Sequence, residues 1–140
     1  MLDRERAFTG PNMSCAFNSA ALQGIVEHFG GDLDVLSLPM HGKPSKVTVR
    51  HGGVGLFEHI PPSFTAARYH SLYGRAATLP DCLEVLAETE DGVIMAVRHK
   101  TLPIAAVQFH PESILTPEEV GLQLLTNAVK MLRRDMYPKA

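Results

Sequence analysis

The sequence predicts an α/β fold in which helices flank a central mixed β-sheet. Three observations lead to this prediction. Segments with helical spacing lie toward both ends of the chain, the dipeptide Asp91-Gly92 separates two apolar segments, and residues 104–109 (Ile-Ala-Ala-Val-Gln-Phe) form a nearly unbroken apolar run. Such a run is typical of a strand covered on both faces, so we expect residues 104–109 near the centre of the sheet.

The composition narrows the class of protein. The chain has 140 residues, of which 45% are hydrophobic and 20% charged, as expected for one soluble globular domain. The net charge is -2 and no run of Lys or Arg is present, so we expect no nucleic-acid partner. The chain lacks an apolar stretch of roughly 20 residues and a signal peptide, which predicts a cytoplasmic protein without a membrane partner. Only Cys15 and Cys82 are present and they lack metal-ligand spacing, so we expect neither a disulfide framework nor a zinc site. No metal or other cofactor is predicted.

Both helices are predicted from their apolar spacing and their ends. The first should begin at Ser19 and end at Gly30-Gly31, because glycine readily adopts the left-handed conformation that closes a helix. The last should begin at Thr116 as the cap, with Pro117 in the first helical position and Glu119 completing a capping box. The residues expected to face the sheet are Leu22, Ile25, Val26 and Phe29 in the first helix, and Val120, Leu124, Ala128 and Leu132 in the last.

The strands and boundaries follow from turn signals. Short strands are predicted at residues 35–38, 46–50 and 65–69. Asp91-Gly92 favours the two positive φ angles of a two-residue type I′ turn, which predicts a hairpin between residues 83–90 and 93–99. Residues 1–18 contain a Gly-Pro-Asn turn signal, and their apolar residues show no sustained periodicity. They are therefore expected to form a loose N-terminal tail. The ordered domain is predicted to span residues 19–134, followed by a C-terminal tail at 135–140.

A candidate catalytic pair follows the buried strand. His110 and Glu112 are two residues apart and lie on the same side of an extended segment. The carboxylate can fix the imidazole tautomer, so that the other ring nitrogen takes a proton from a nucleophile. By itself the pair is weak evidence, because a histidine that caps a strand beside a solvated carboxylate gives the same pattern.

The residues around this pair carry a family resemblance. Residues 109–113 (Phe-His-Pro-Glu-Ser) resemble the signature of class I glutamine amidotransferases, and segments 21–31, 40–43, 68–72 and 90–95 match the same family in the same order. The His-Gly-Lys and Tyr-His-Ser-Leu pieces resemble the branch of anthranilate synthase and aminodeoxychorismate synthase, and the longer similarity favours anthranilate synthase of tryptophan biosynthesis. The resemblance implies that this chain is the C-terminal portion of a flavodoxin-like amidotransferase domain.

The resemblance also implies roles for individual residues. His110 would be the general base and Glu112 its orienter. Gln23 would help to hold the substrate glutamine, although an exposed helical glutamine is an ordinary structural feature. Ser71 and Leu72 would contact the α-amino and carboxylate end of that substrate. His41 and Lys43 would either reach a partner subunit or lie in a solvated loop, and the pattern favours neither reading.

The sequence departs from the family at the nucleophile. The family pattern is Gly-x-Cys-x-Gly-x-Gln, and counting back from Gln23 places Ser19 at the cysteine, with Phe17 and Ala21 at the glycines. Cys15 lies eight residues before Gln23 instead of four, which is outside the turn that aims the nucleophile. A serine hydroxyl is far less acidic than a thiol, whose pKa is about 8.5, so glutamine hydrolysis should be crippled.

A second departure concerns what the family places before that turn. The first strands of its sheet and a glycine-rich loop have no counterpart in this sequence, and that loop donates half of the oxyanion hole. We therefore expect an N-terminally truncated domain whose sheet edge is covered by another polypeptide, such as a separate N-terminal half.

Three functions are compatible with these features. The first is the glutaminase component of anthranilate synthase, which hydrolyses glutamine and passes ammonia to a chorismate-converting synthase subunit or domain. The second is an inactive truncated amidotransferase that only binds a partner subunit, and the third is the aminodeoxychorismate synthase glutaminase component.

Overall fold

The computed structural model describes residues 14–17, 19–37, 43–50, 55–68, 70, 72–101, 104–109 and 116–136. Two α-helices, two short 3-10 helices (Gly55–Phe57 and Ala76–Thr78) and eight strands lie in these ranges. The strands are β1 (Ser14–Phe17), β2 (Leu33–Val35), β3 (Lys43–Val49), β4 (Ser63–Arg68), β5 (Leu72–Gly74), β6 (Leu83–Thr89), β7 (Ile94–His99) and β8 (Ile104–Val107), and the helices are α1 (Ser19–His28) and α2 (Glu118–Met136).

The strands form a mixed sheet between the two helices. Six strands have the order β1-β8-β7-β6-β3-β4, and β2 and β5 form a separate antiparallel pair. β1 runs parallel to β8, whereas the other neighbours in the large sheet are antiparallel. Ile104 and Ala106 of β8 pack in the core cluster that contains α1, and Ala105 and Val107 pack in the cluster that contains α2. Because alternate residues of a strand point to opposite faces, the helices cover opposite faces, and the predicted fold class is confirmed.

The end of α1 has the predicted glycine geometry. Gly30 has a φ of 99°, and its N–H donates to the carbonyl of Glu27 at 3.0 Å. The N–H of Gly31 donates to the carbonyl of Val26 at 2.8 Å. These two bonds form a Schellman motif, so the predicted helix end is confirmed.

The ends of α2 differ from the prediction, whereas its buried face does not. The helix begins at Glu118, and the carbonyl of Pro117 accepts from the N–H of Gly121 at 3.0 Å, so Pro117 precedes the helix instead of occupying its first position. α2 continues to Met136, into the segment predicted as a C-terminal tail, because no glycine or proline lies between Gly121 in its first turn and Pro138. The predicted apolar stripe is buried at Val120, Leu124 and Ala128, and the side chain of Leu132 lies outside the described residues.

The hairpin between β6 and β7 is confirmed, but its turn was predicted wrongly. Only Gly92 has a positive φ, at 81°, and Asp91 does not. The N–H of Gly92 donates to the carbonyl of Thr89, and the N–H of Thr89 donates to the carbonyl of Val93, both at 3.0 Å. These bonds enclose a three-residue loop ending in a left-handed glycine, the arrangement of a type I turn with a bulge. The hydroxyl of Thr89 donates to the carboxylate of Asp91, which favours the right-handed conformation there.

Two strand predictions also need correction. Residues 14–17 were expected in a loose tail, yet they form β1, because they pair in parallel with the buried strand β8 from Ser14 opposite Ile104 to Phe17 opposite Val107. β2 begins at Leu33 instead of residue 35, and β3 begins at Lys43 instead of residue 46. Proline is tolerated in a strand where it is not flanked by a partner on both sides. Pro44 pairs only with Ala67 of β4, because β3 pairs with β6 only from Val47 to Val49.

Candidate active site

A single backbone carbonyl, that of Leu72 in β5, is the centre of the polar cluster. Gln23 Nε2 of α1 donates to it at 2.9 Å, and Gln108 Nε2, just after β8, donates at 3.0 Å. His70 Nδ1 lies 2.8 Å from the same oxygen. Because a carbonyl oxygen only accepts hydrogen bonds, both amide NH2 groups and a protonated Nδ1 must face it.

His70 is held in one neutral tautomer. Its Nε2 lies 2.9 Å from Nε of Arg68, and a guanidinium can only donate, so Nε2 accepts and the ring proton resides on Nδ1. Burial lowers the pKa of His70 and the positive charge of Arg68 lowers it further, against the opposing effects of the Leu72 carbonyl and Asp91. The imidazole is therefore an uncharged link between Arg68 and Leu72.

Arg68 and Gln108 are buried polar residues of this cluster. Arg68 is 2% exposed, and its Nη1 donates to Ser45 Oγ at 3.3 Å. Burial lowers the pKa of Arg68, and the negative charge of Asp91 raises it. Within the described part of the chain, Nη2 of Arg68 and Oε1 of the fully buried Gln108 have no hydrogen-bond partner.

The position of Leu72 is set by its strand. β5 pairs with β2, with Leu72 opposite Val35 and Gly74 opposite Leu33. A Cβ atom at Gly74 would lie 3.2 Å from Cγ2 of Val26, so the absence of a side chain at this position lets β5 lie close against α1. This close approach brings the Leu72 carbonyl within reach of Gln23.

The predicted site residues are described to different extents. Gln23 and Leu72 are brought together by a direct hydrogen bond. Ser19 is the first residue of α1 and only Asn18 separates it from β1, so a strand-to-helix junction lies at the predicted nucleophile position. Cys15 lies inside β1, opposite Ala105, away from the first residue of the helix. The other predicted residues, His110, Glu112, Ser71 and His41, together with the side chain of Lys43, lie outside the described residues.

Phe109 anchors the start of the segment that carries His110. Its side chain is fully buried in the core, and its ring packs edge-to-face against Phe64 with centroids 5.5 Å apart. Just before it, the N–H of Gln108 donates to the carbonyl of Met95 at 2.7 Å. The chain that leads to residues 110–113 is therefore tied to the sheet and the core.

Sequence reasoning assigned no role to Arg68, His70 or Gln108. Two signals point to them in retrospect. Residues 68, 70 and 72 alternate, so an extended chain places them on the same side. A glutamine inside an apolar run requires partners for its amide once it is buried.

Two further features were sought in the described ranges, a cluster of metal ligands and a membrane-spanning helix. Within them, no group of three or more His, Cys, Asp or Glu residues is arranged to hold a metal ion. Neither helix described is both long and apolar enough to cross a membrane.

The fold and the cluster define an α/β protein whose polar site is built from its first helix, β5 and the end of its buried strand. The model of the class I glutamine amidotransferase family matches residues 21–130, and the chain belongs to this family. The predicted family resemblance is confirmed.

Individual relatives give a finer comparison. The chain is 54% identical over 112 residues to "Anthranilate synthase" of Azospirillum brasilense, covering 79% of this chain and 15% of that protein. It is 49% identical over 112 residues to "Anthranilate synthase component 2" of the same organism, covering 80% and 55%. It is 44% identical over 114 residues to "Aminodeoxychorismate/anthranilate synthase component 2" of Bacillus subtilis, covering 81% and 57%. The chain therefore spans little more than half the length of the two component 2 proteins.

A solved structure supports the fold assignment. A protein from Thermoplasma acidophilum, named as a candidate subunit of GMP synthase, superposes with a TM-score of 0.74 at 26% sequence identity. The match covers 89% of this chain and 60% of that one.

Proposed function

We propose that this chain is the glutamine-handling part of the amidotransferase component of an anthranilate synthase, which supplies ammonia from glutamine to a chorismate-converting synthase subunit or domain. The observation that carries the proposal is the 2.9 Å bond from Gln23 Nε2 to the Leu72 carbonyl. This hydrogen bond connects two residues that, according to the family resemblance, contact the substrate glutamine. The identity to proteins named anthranilate synthase supports this branch of the family.

The side-chain amide of Gln23 suits an amide ligand. Once its NH2 group leaves the Leu72 carbonyl, that group can donate to a ligand carbonyl, and its Oε1 atom can accept from an amide or ammonium N–H. Gln23 is half-buried, so a ligand from solvent can reach it. Ser71 and Leu72 would hold the α-amino and carboxylate end of glutamine, as the family pattern implies.

The catalytic roles extend this proposal to residues 110–112. His110 would take the proton from the nucleophile as that atom attacks the glutamine amide carbon, and would return a proton to the departing ammonia. Glu112 would fix the imidazole tautomer. Ser19 at the nucleophile position weakens the first step, because a serine hydroxyl gives up its proton far less readily than a thiol. This residue favours a second candidate function, an inactive amidotransferase that binds a partner subunit.

Glutamine binding tests the proposal independently of turnover. L-glutamine would be titrated into ¹⁵N-labelled chain while its amide signals are followed by NMR. We expect saturable binding, and we expect Gln23→Leu to raise Kd roughly tenfold, the effect of one lost hydrogen bond. Gln123→Leu on α2 is the matched control and should leave Kd unchanged, because Gln123 bonds to Asn127 of its own helix. Absence of any saturable binding to the wild-type chain would contradict the proposal.

Ammonia release tests the second candidate function, the inactive amidotransferase. We expect neither the purified wild-type chain nor Ser19→Cys to release ammonia from glutamine above a blank. Glutamine-dependent turnover by the chain alone, abolished by His110→Ala, would exclude the inactive candidate. Adding a chorismate-converting subunit of each type and measuring anthranilate or aminodeoxychorismate then distinguishes the two branches.

A further inference from the structure

The Leu72 carbonyl has more donors than it can fully use. An sp² oxygen offers two lone pairs, yet Gln23 Nε2, Gln108 Nε2 and His70 Nδ1 all lie within 3.0 Å of it. Two of the three donors therefore suffice, and the third can leave without exposing an unsatisfied acceptor.

Burial identifies which donor can leave. Gln108 is 0% exposed and His70 is 6% exposed, so neither is accessible to a ligand from solvent. Gln23 is only half-buried. It is therefore the donor that can exchange the Leu72 carbonyl for a ligand.

Arg68 fixes the donor role of His70. A neutral histidine can carry its proton on either ring nitrogen, and only the Nδ1–H form donates to Leu72. The 2.9 Å bond from Arg68 Nε to His70 Nε2 excludes the other tautomer, in which two N–H groups would face each other. Fixing the tautomer of His70 is thus a functional reason for burying Arg68, whose Nη2 has no hydrogen-bond partner among the described residues.

We propose that His70 is a positioning residue of the glutamine site. Together with Gln108 it satisfies the Leu72 carbonyl, which frees Gln23 to bond to glutamine instead of to that carbonyl. Arg68 holds His70 in the donating tautomer. This inference rests on the proposed function, because its ligand is glutamine. Without His70, the carbonyl needs Gln23 as its second donor, and glutamine must compete for that bond.

The first test is the imidazole ¹⁵N spectrum of the wild-type chain at about pH 7. We expect a neutral ring protonated on Nδ1. A ring protonated on Nε2, or on both nitrogens, would overturn the proposal without any substitution. Addition of L-glutamine should shift the side-chain amide signals of Gln23 and leave the Nδ1–H signal of His70 in place.

The second test compares variants by glutamine titration. His70→Leu should raise Kd roughly tenfold, the effect of losing one donor, and Gln108→Leu should act in the same direction. His70→Asn should recover most of the affinity, since the asparagine Nδ2 can replace the Nδ1–H donor; a purely structural role for His70 predicts no such rescue. The control His99→Leu replaces another histidine that is 6% exposed, outside the Leu72 cluster, and should leave Kd unchanged.

The outcomes separate this inference from the proposed function. If the wild-type chain binds glutamine and His70→Leu binds it equally well, the positioning role is wrong and the proposed function stands. If the wild-type chain binds no glutamine, the proposed function fails and the positioning role fails with it. If His70→Leu does not fold, Gln108→Leu and the wild-type imidazole spectrum still decide.

Discussion

Gln23 of α1 donates a hydrogen bond to the backbone carbonyl of Leu72 at 2.9 Å, across 49 residues of sequence. The bond joins the half-buried face of a helix to a three-residue strand outside the large sheet. Both residues belong to motifs that the family resemblance assigns to glutamine binding. Their direct contact is therefore the structural observation behind our proposal that this cluster binds glutamine.

Replacement of Phe109 tests how firmly the segment before His110 is anchored. Phe109→Ala should lower the free energy of unfolding by about 3–5 kcal/mol, because a fully buried ring is lost and a cavity remains. Urea unfolding followed by circular dichroism measures this change. Phe109→Leu should give a smaller loss, and a loss below about 1 kcal/mol for the alanine variant would show that the core does not depend on this ring.

The neutral state of His70 predicts a pH-dependent stability. Its folded-state pKa is lowered by burial and by Arg68, whereas the unfolded value is about 6.5. The stabilisation from the neutral ring is thus fully present above about pH 6.5 and is lost as the pH falls through the folded-state pKa. Arg68 and Asp91 are the charged groups that act on the ring. His70→Asn removes the titration.

Urea unfolding of both chains between about pH 8 and about pH 5 measures this effect. The stability advantage of the wild-type chain over His70→Asn should shrink toward acidic pH. An advantage that grows in acid would mean that the folded-state pKa is raised, which contradicts the neutral tautomer.

Asn127 connects α2 to the 3-10 turn Gly55–Phe57. Its Nδ2 donates to the carbonyls of Leu56 and Glu58, both at 2.7 Å, and the residue is buried. Asn127→Asp replaces the donor with a carboxylate that faces two carbonyl oxygens, so we expect a loss of about 2–4 kcal/mol at neutral pH. Gln123→Ala removes only the side chain that donates to Asn127 Oδ1 and should cost less than about 1 kcal/mol. Equal losses in thermal unfolding of the two variants would contradict this account.

Elements specified by local chemistry were predictable from the sequence. The end of α1 follows from Gly30-Gly31, the hairpin from Asp91-Gly92, and the burial of β8 from its apolar run. The strand β1 was not predictable, because its four residues show no hydrophobic periodicity. They form a strand by pairing with β8, which lies far along the chain. The turn type was missed because the Thr89 hydroxyl acts on Asp91.

The candidate site was predictable only in part, for a related reason. Motif resemblance selected Gln23 and Leu72, whose contact the structure shows. It gave no role to His70 or Gln108, since their function depends on meeting one carbonyl from different segments. A sequence pattern reveals that a buried glutamine needs a partner, but the identity of that partner is set by the packing of α1, β5 and β8.

Alanine substitutions at Gly92 and Gly24 test backbone strain at one position and helix propensity at the other. A Cβ atom at Gly92 or at Gly24 meets nothing within 4 Å, so neither substitution by alanine creates a clash. Gly92 has a φ of 81°, and alanine there should cost about 1–2 kcal/mol because an L-residue is strained in the left-handed region. Gly24 lies inside α1, where alanine should stabilise the protein by about 0.5–1 kcal/mol. Thermal unfolding of the two variants should therefore shift in opposite directions, and a stabilised Gly92→Ala would show that the turn does not require its left-handed residue.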